Sequence, residues 1–300
     1  MNRIVAIGEI LWDLLPAGPV LGGAPANFAF HAHALGADSV MISRIGADAF
    51  GCAITDRFQA EGLRTDCLQV DDQAPTGTVS VHLTPAGDAT FTIHEGVAWD
   101  RLEADPRSLA AVAAAAAVCF GSLGQRTPGA FAAIQTLISA AKPSALLIFD
   151  INLRQHFYSQ KVIEDSLHRA NVLKLNETEL PILAQLLHLQ APDDRALLSS
   201  LATRFNLKAV ALTRGGRGSL LWREGLFSEH PGLPVVVRDT IGAGDSFTAA
   251  FTIGLLSRWP LDLINDRANR VAAYVCSQPG ATPNLPADLR AEFSPTQTIT

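Results

Sequence analysis

The decapeptide RDTIGAGDSF, Arg238 to Phe247, sets two glycines and two aspartates in a short turn before an apolar pattern with helical spacing, Phe247, Phe251 and Leu255. Gly242 and Gly244 let the backbone turn tightly. The first N–H groups of the helix that follows have no partner within it, so they and the positive end of the dipole face whatever lies over the turn. An anion such as a phosphate suits that place. A carboxylate there has two explanations. Asp245 can simply complement the helix dipole, worth about 0.3–1 kcal/mol at a surface. It can instead take the proton from a hydroxyl that attacks phosphorus, while the amides from Gly242 to Gly244 neutralise the transferred group.

Two better-known glycine turns do not fit. A dinucleotide fingerprint needs a third glycine where Phe247 stands, and a phosphate loop of the Walker type needs a Gly-Lys pair, which the sequence lacks. A second glycine turn, GGAPANFAFHA, brings Gly22, Gly23, Pro25 and Asn27 to the start of another helical pattern. It reads either as a close backbone approach carrying one amide side chain or as an ordinary turn with proline in the first helical turn.

These turns need elements to hold them. Short β-rich runs alternate with helical patterns: RIVAIGEIL, APANFAFHAHALGA, SVMISRIG and DAFGCAITDRFQAEGL, then AAVCFGS, PGAFAAIQTLISAAK, ALLIFDINLR, ANVLKLNETELPILAQLLHL and LKAVALTRGG. That alternation predicts an α/β fold, a mainly parallel central sheet with helices on both faces. Ligands of such sheets bind at the C-terminal ends of the strands, where this sequence has polar or glycine-rich turns. Between about Val70 and Ile93 the texture changes. TGTVSVHLTPAGDATFTI alternates with period 2 around PAGD, which predicts a hairpin and hence a small β lid inserted at about 70–95 in a single domain spanning 1–300. The alanine-rich LAAVAAAAAV reads as a helix leading into a strand. The polar tail SPTQTIT reads as frayed.

Composition narrows the partners. The 300 residues are 48% hydrophobic and 17% charged, and no apolar run approaches the ~20 residues of a membrane span. Net charge is -6 with four lysines, which argues against nucleic acid and for a small ligand. The N-terminal run is interrupted by Glu9 and Asp13 and reads as a strand, not a signal peptide. Cys52, Cys67, Cys119 and Cys276 are scattered without metal spacing, as expected of reduced thiols in a cytoplasmic protein.

With GGAPANFA and RIGADAFG in the N-terminal half and DTIGAGDSF in the C-terminal half, the sequence resembles the ribokinase-like, or PfkB, carbohydrate kinases from Arg3 to about Pro286. The resemblance implies ATP-dependent phosphorylation of a small sugar. It makes Asp245 the base and Gly242, Ala243 and Gly244 the anion hole. Asp13, Gly22, Gly23 and Asn27 become sugar ligands, with Phe91 from the lid. DINLR resembles the family's D-P-N-x-R with Ile151 in place of proline, so Asn152 joins the sugar set and Arg154 faces phosphate. NETE matches N-x-x-E, implying that Asn176 and Glu179 organise Mg²⁺ through water. Thr213, Gly215 and Gly218 resemble the nucleotide loop, Asn269 and Ala273 the adenine pocket, and Asp239 the site where many relatives hold a monovalent cation such as K⁺.

GEILWDLLP, FGSLGQR and FDINLRQHFYS look most like the fructokinase branch, which implies D-fructose as acceptor. Ribose, 2-keto-3-deoxygluconate or a nucleoside stay open as acceptors, because single side chains in the lid can switch them. So does a sensor on the same fold that binds without turnover. Relatives often pair through the lid. The strands near Val79 to Ile93 would suit a homodimer, and the residues do not decide between that and a monomer.

Overall fold

The computed structural model describes residues 2–83 and 89–294. The chain opens with β1 (Arg3–Ile7), β2 (Leu11–Leu15), β3 (Gly18–Gly22), α1 (Ala24–Ala34), β4 (Asp38–Gly46), α2 (Ala49–Ala60), β5 (Leu68–Asp71), β6 (Gly77–Leu83) and β7 (Ala89–Ile93). The middle carries α3 (Pro106–Ala114), β8 (Ala117–Phe120), α4 (Pro128–Ser139), β9 (Leu146–Asp150), α5 (Gln160–Arg169), β10 (Val172–Asn176), α6 (Glu179–Leu186) and α7 (Asp194–Phe205). It closes with β11 (Ala209–Thr213), β12 (Ser219–Arg223), β13 (Leu226–His230), α8 (Ala243–Leu256), α9 (Leu261–Cys276) and α10 (Ala287–Ala291).

Nine strands form one sheet in the order β13-β12-β11-β10-β9-β8-β1-β4-β5. It is parallel from β5 to β11, and β12 and β13 extend it antiparallel. Side chains of a strand alternate between faces, and this sheet is buried on both. Ile4 and Ala6 of β1 join a core with Phe28 of α1, Phe247 and Phe251 of α8 and Val271 of α9. Val5 and Ile7 join another with Val112, Ile134, Ile163 and Leu198 of α3, α4, α5 and α7. That is the expected α/β architecture. Chain order reverses at β1, whose neighbours are β4 and β8, and a crevice opens at such a switch point.

A second sheet has the order β3-β2-β6-β7, with β2 and β6 parallel and both outer pairs antiparallel. The lid is therefore built from two segments, not from 70–95 alone. Val70 belongs to β5 on the edge of the large sheet. The run read as one opening strand ends at Ile7, so Asp13 sits on lid strand β2. Leu11, Val79 and Ile93 from the lid pack with Leu123 and Phe157, which explains why these strands alternate. The PAGD turn and the tail after Ser294 lie outside the described residues. Asp48 of RIGADAFG caps α2 by accepting the Gly51 N–H at 2.8 Å, and also accepts the N–H and hydroxyl of Thr76 just ahead of β6. That motif thus joins the large sheet to the lid. Among the described residues no helix is long and apolar enough to cross a membrane.

Candidate active site

The ends of β1, β9, β10 and β11, the start of α8 and the inner face of the lid enclose a cavity of about 800 Å³. Sixteen of the predicted residues line it: Asp13, Gly23, Asn27, Phe91, Asn152, Arg154, Asn176, Thr213, Gly215, Gly218, Gly242, Ala243, Gly244, Asp245, Asn269 and Ala273. Gly22, Glu179 and Asp239 are not among its lining residues.

At the centre, Gly242 is the N-cap of α8, and its φ of 78° lies in the left-handed region that glycine adopts without penalty. A Cβ there would also drive into the carbonyl oxygen of Ala281. We therefore expect Gly242→Ala to cost about 1–3 kcal/mol and to lower kcat at least tenfold. Gly129→Ala in the first turn of α4, where a Cβ meets nothing within 4 Å, serves as control and should be neutral or stabilising. Urea unfolding and turnover of both variants check this.

Asp245 sits in the first turn of α8, half-buried, and its Oδ2 accepts a hydrogen bond from Asn27 Nδ2 at 2.8 Å. Burial and the neighbouring Asp150 charge lift its pKa to about 6, against Lys174, Asn27 and Arg154, which favour the ionised form. A carboxylate with such a pKa is ionised at neutral pH yet basic enough to accept a proton. The dipole explanation does not account for its partner or its place in the cavity.

Around it lie residues of β2, the GGAPAN turn and the end of β9. Gly22 has no side chain because a Cβ there would lie 2.5 Å from Asp13 Oδ2. The bare backbone thus makes room for that carboxyl, whose pKa burial raises to about 6. Asn152 has φ 44°, a conformation asparagine tolerates, and Gln155 with φ 48° donates to the Phe91 carbonyl at 2.7 Å, tying the lid to the end of β9. Arg154 is exposed at the cavity mouth.

The NETE element folds as a reciprocal cap. Asn176 Oδ1 accepts the Thr178 and Glu179 N–H groups, and Glu179 accepts the Asn176 N–H at 2.8 Å and the Leu153 N–H at 3.0 Å. Glu179 is buried, and burial pushes its pKa up despite the Lys174 charge. Asn269 likewise spends its amide on Ser219 and Asn265, fixing α9 to β12, while Ala272, Ala273, Leu233, Val235 and Val237 make an apolar wall. Asp239 accepts from the Ile241 and Gly280 N–H groups, holding two loops together beside Gly242.

Sequence reasoning missed Glu9, Lys174 and the valine wall. Lys174 Nζ lies 3.0 Å from Asp150 Oδ1, both are buried, and Thr248 donates to the other oxygen of Asp150 at 2.9 Å. Charged residues inside the apolar runs IGEIL and VLKLN were the available signal.

The sequence profile of the pfkB family carbohydrate kinases matches residues 19–288. The chain belongs to this family. A fructokinase of Salmonella typhimurium is 30% identical to this kinase over 97% of the chain and 99% of its own length. A crystal structure of an uncharacterized sugar kinase from Pyrococcus horikoshii in complex with ATP matches it with TM-score 0.81 at 29% identity, over 93% of this chain and 94% of that one. Fructokinase from Vibrio cholerae O395, in a form with fructose, ADP and calcium bound, matches with TM-score 0.78 at 25% identity, over 98% and 99%.

Proposed function

We propose that this carbohydrate kinase transfers the γ-phosphoryl group of MgATP to a primary hydroxyl of D-fructose, giving fructose 6-phosphate and ADP. The observation that supports the reading is Asp245, held by Asn27 in the first turn of α8, in one cavity with Asp13, Asn152 and the glycine-rich loop after β11. The relatives described as fructokinases support the choice of sugar. So does the charge at the acceptor end. Glu9, Asp13 and Asp245 share the cavity with two cations, Arg154 and Lys174, and Lys174 is paired with Asp150, which disfavours an acceptor bearing a carboxylate, such as 2-keto-3-deoxygluconate.

In this reading Asp13, Asn27 and Asn152 orient the sugar hydroxyls, and Gln155 holds Phe91 and the lid over them. Asp245 removes the proton from the attacking hydroxyl as its oxygen bonds to phosphorus and the bond to the ADP oxygen breaks. Gly242, Ala243 and Gly244 present the helix N-terminus to the charge that builds on the transferred group. The nucleotide lies along Thr213, Gly215 and Gly218, with its base against Ala273 and the valine wall. Magnesium, when bound, neutralises the nucleotide phosphates. The donor set fits a metal that arrives on ATP and keeps its waters, because Glu179 already accepts two backbone N–H groups and Asn176 faces the cavity. Asp239 keeps lone pairs beyond its two N–H partners and fits K⁺ shared with loop carbonyls. We place the kinase in the cytoplasm.

A coupled ADP-release assay with MgATP and K⁺ against fructose, ribose, glucose, 2-keto-3-deoxygluconate and adenosine tests the reading. Fructose should give kcat/KM of ~10⁴ M⁻¹s⁻¹ or more and exceed the others. A higher value for another compound moves the acceptor, and no ADP release with any of them removes the kinase reading.

A further inference from the structure

Glu9 lies in the turn after β1 and is 1% exposed, yet it lines the cavity. Backbone N–H groups of Glu9 and Ala24 are near enough to favour its ionised form, while Oε2 is buried without a hydrogen-bond partner. An unpartnered buried polar atom costs about 1–3 kcal/mol, so a fold keeps one only where something else offsets it. Asp245 and Arg154 are close enough to act on Glu9 by charge, so it stands at the acceptor end near the site of transfer. Burial lifts its pKa to about 7, against its own N–H and the Arg154 charge. Near neutral pH the group therefore exists in both forms, a donor when protonated and an acceptor when not.

We infer that Oε2 of Glu9 binds a hydroxyl of the acceptor other than the one Asp245 deprotonates, making Glu9 a specificity residue for uncharged, polyhydroxylated sugars. A hydroxyl can complement either form of the carboxyl, whereas a carboxylate or a bare methylene cannot complement the ionised one. The inference rests on the sugar kinase reading and adds a residue to it.

The test pairs Glu9→Leu and Glu9→Gln with monodeoxy analogues of the preferred sugar. In the wild-type kinase, one analogue should lose ~10- to 100-fold in kcat/KM, because it leaves Oε2 unpartnered. In Glu9→Leu the same analogue and the parent sugar should differ by less than about threefold, with KM for the parent raised ~10-fold or more and KM for MgATP within about twofold. Glu9→Gln, which keeps the shape, should fall between, and it carries the test if the leucine variant does not fold. A purely packing role moves stability without changing which analogue is rejected. Equal discrimination among analogues in wild type and both variants overturns the inference and leaves the kinase reading intact. Thermal-shift titration reports sugar binding without turnover. A wild-type protein that neither phosphorylates nor binds any sugar overturns both.

Discussion

Asp245→Asn should lower kcat by roughly 10²–10⁴-fold, the usual contribution of a positioned general base. The substitution keeps the shape of the side chain, and Asn27 can still donate to the amide oxygen, so KM values should change little. The wild-type pH profile carries the same information. The base must be ionised to work, and its pKa is raised to about 6, so kcat/KM should be lost as pH falls through 6 and level off above it. A profile flat from pH 5 to 8, or turnover in the variant within threefold of wild type, would remove Asp245 from this role.

Stability should move the other way. An acid whose folded pKa is raised binds its proton more tightly in the native state. Folding stability is therefore present below the unfolded value of 3.8 and falls as pH rises toward 6, where the buried charge must form. Asparagine carries no such charge, so at pH 8 the variant should melt at the same temperature as wild type or higher. Loss of turnover with no loss of Tm separates a chemical role from a packing one.

How legible the site was depends on how local its physics is. The α8 turn could be read because left-handed glycines and a helix N-terminus act within a few residues, and the GGAPAN turn with Pro25 opens α1 as expected. The Asn27–Asp245 hydrogen bond spans 218 residues, and no spacing rule predicts it. The lid was half visible. Its β6–β7 pair alternates cleanly, but LWDLLP looked like the continuation of an opening strand, because the break after Ile7 carries apolar Ile10 and Leu11 straight on. NETE was matched to a metal element by resemblance, and its side chains also make a helix cap, a local contact that the N-x-x-E spacing allows. Thr213 ends β11, and Gly215 and Gly218 follow it as a glycine-rich strand end should. Leu233, Val235 and Val237 lie in a segment without regular structure, so no periodicity marks which of them face inward.

Lys174→Met should destabilise the kinase by about 3–5 kcal/mol, the range for removing one partner of a buried ion pair. Lys174 and Asp150 have side chains only 8% and 10% exposed, and Asp150 keeps just the Thr248 hydroxyl once the ammonium is gone. Methionine fills much of the volume, so the loss comes from the stranded charge and not from a cavity. The effect reaches Asp245. Lys174 is a cation acting on Asp150, Glu179 and Asp245, and Gly244 has no Cβ in the way of its approach, since one there would sit 3.2 Å from Nζ. Without that cation the Asp245 carboxyl holds its proton to higher pH, and the acid limb of kcat/KM should move above 6. Asp150→Asn added to Lys174→Met removes the stranded carboxylate along with its partner. The double variant should recover part of the stability and return the limb toward lower pH, because Asp150 is itself a cause of the raised Asp245 pKa. Strictly additive losses in denaturant unfolding, with an unmoved pH profile, would mean that Lys174 supports the strand ends and has no influence on the base.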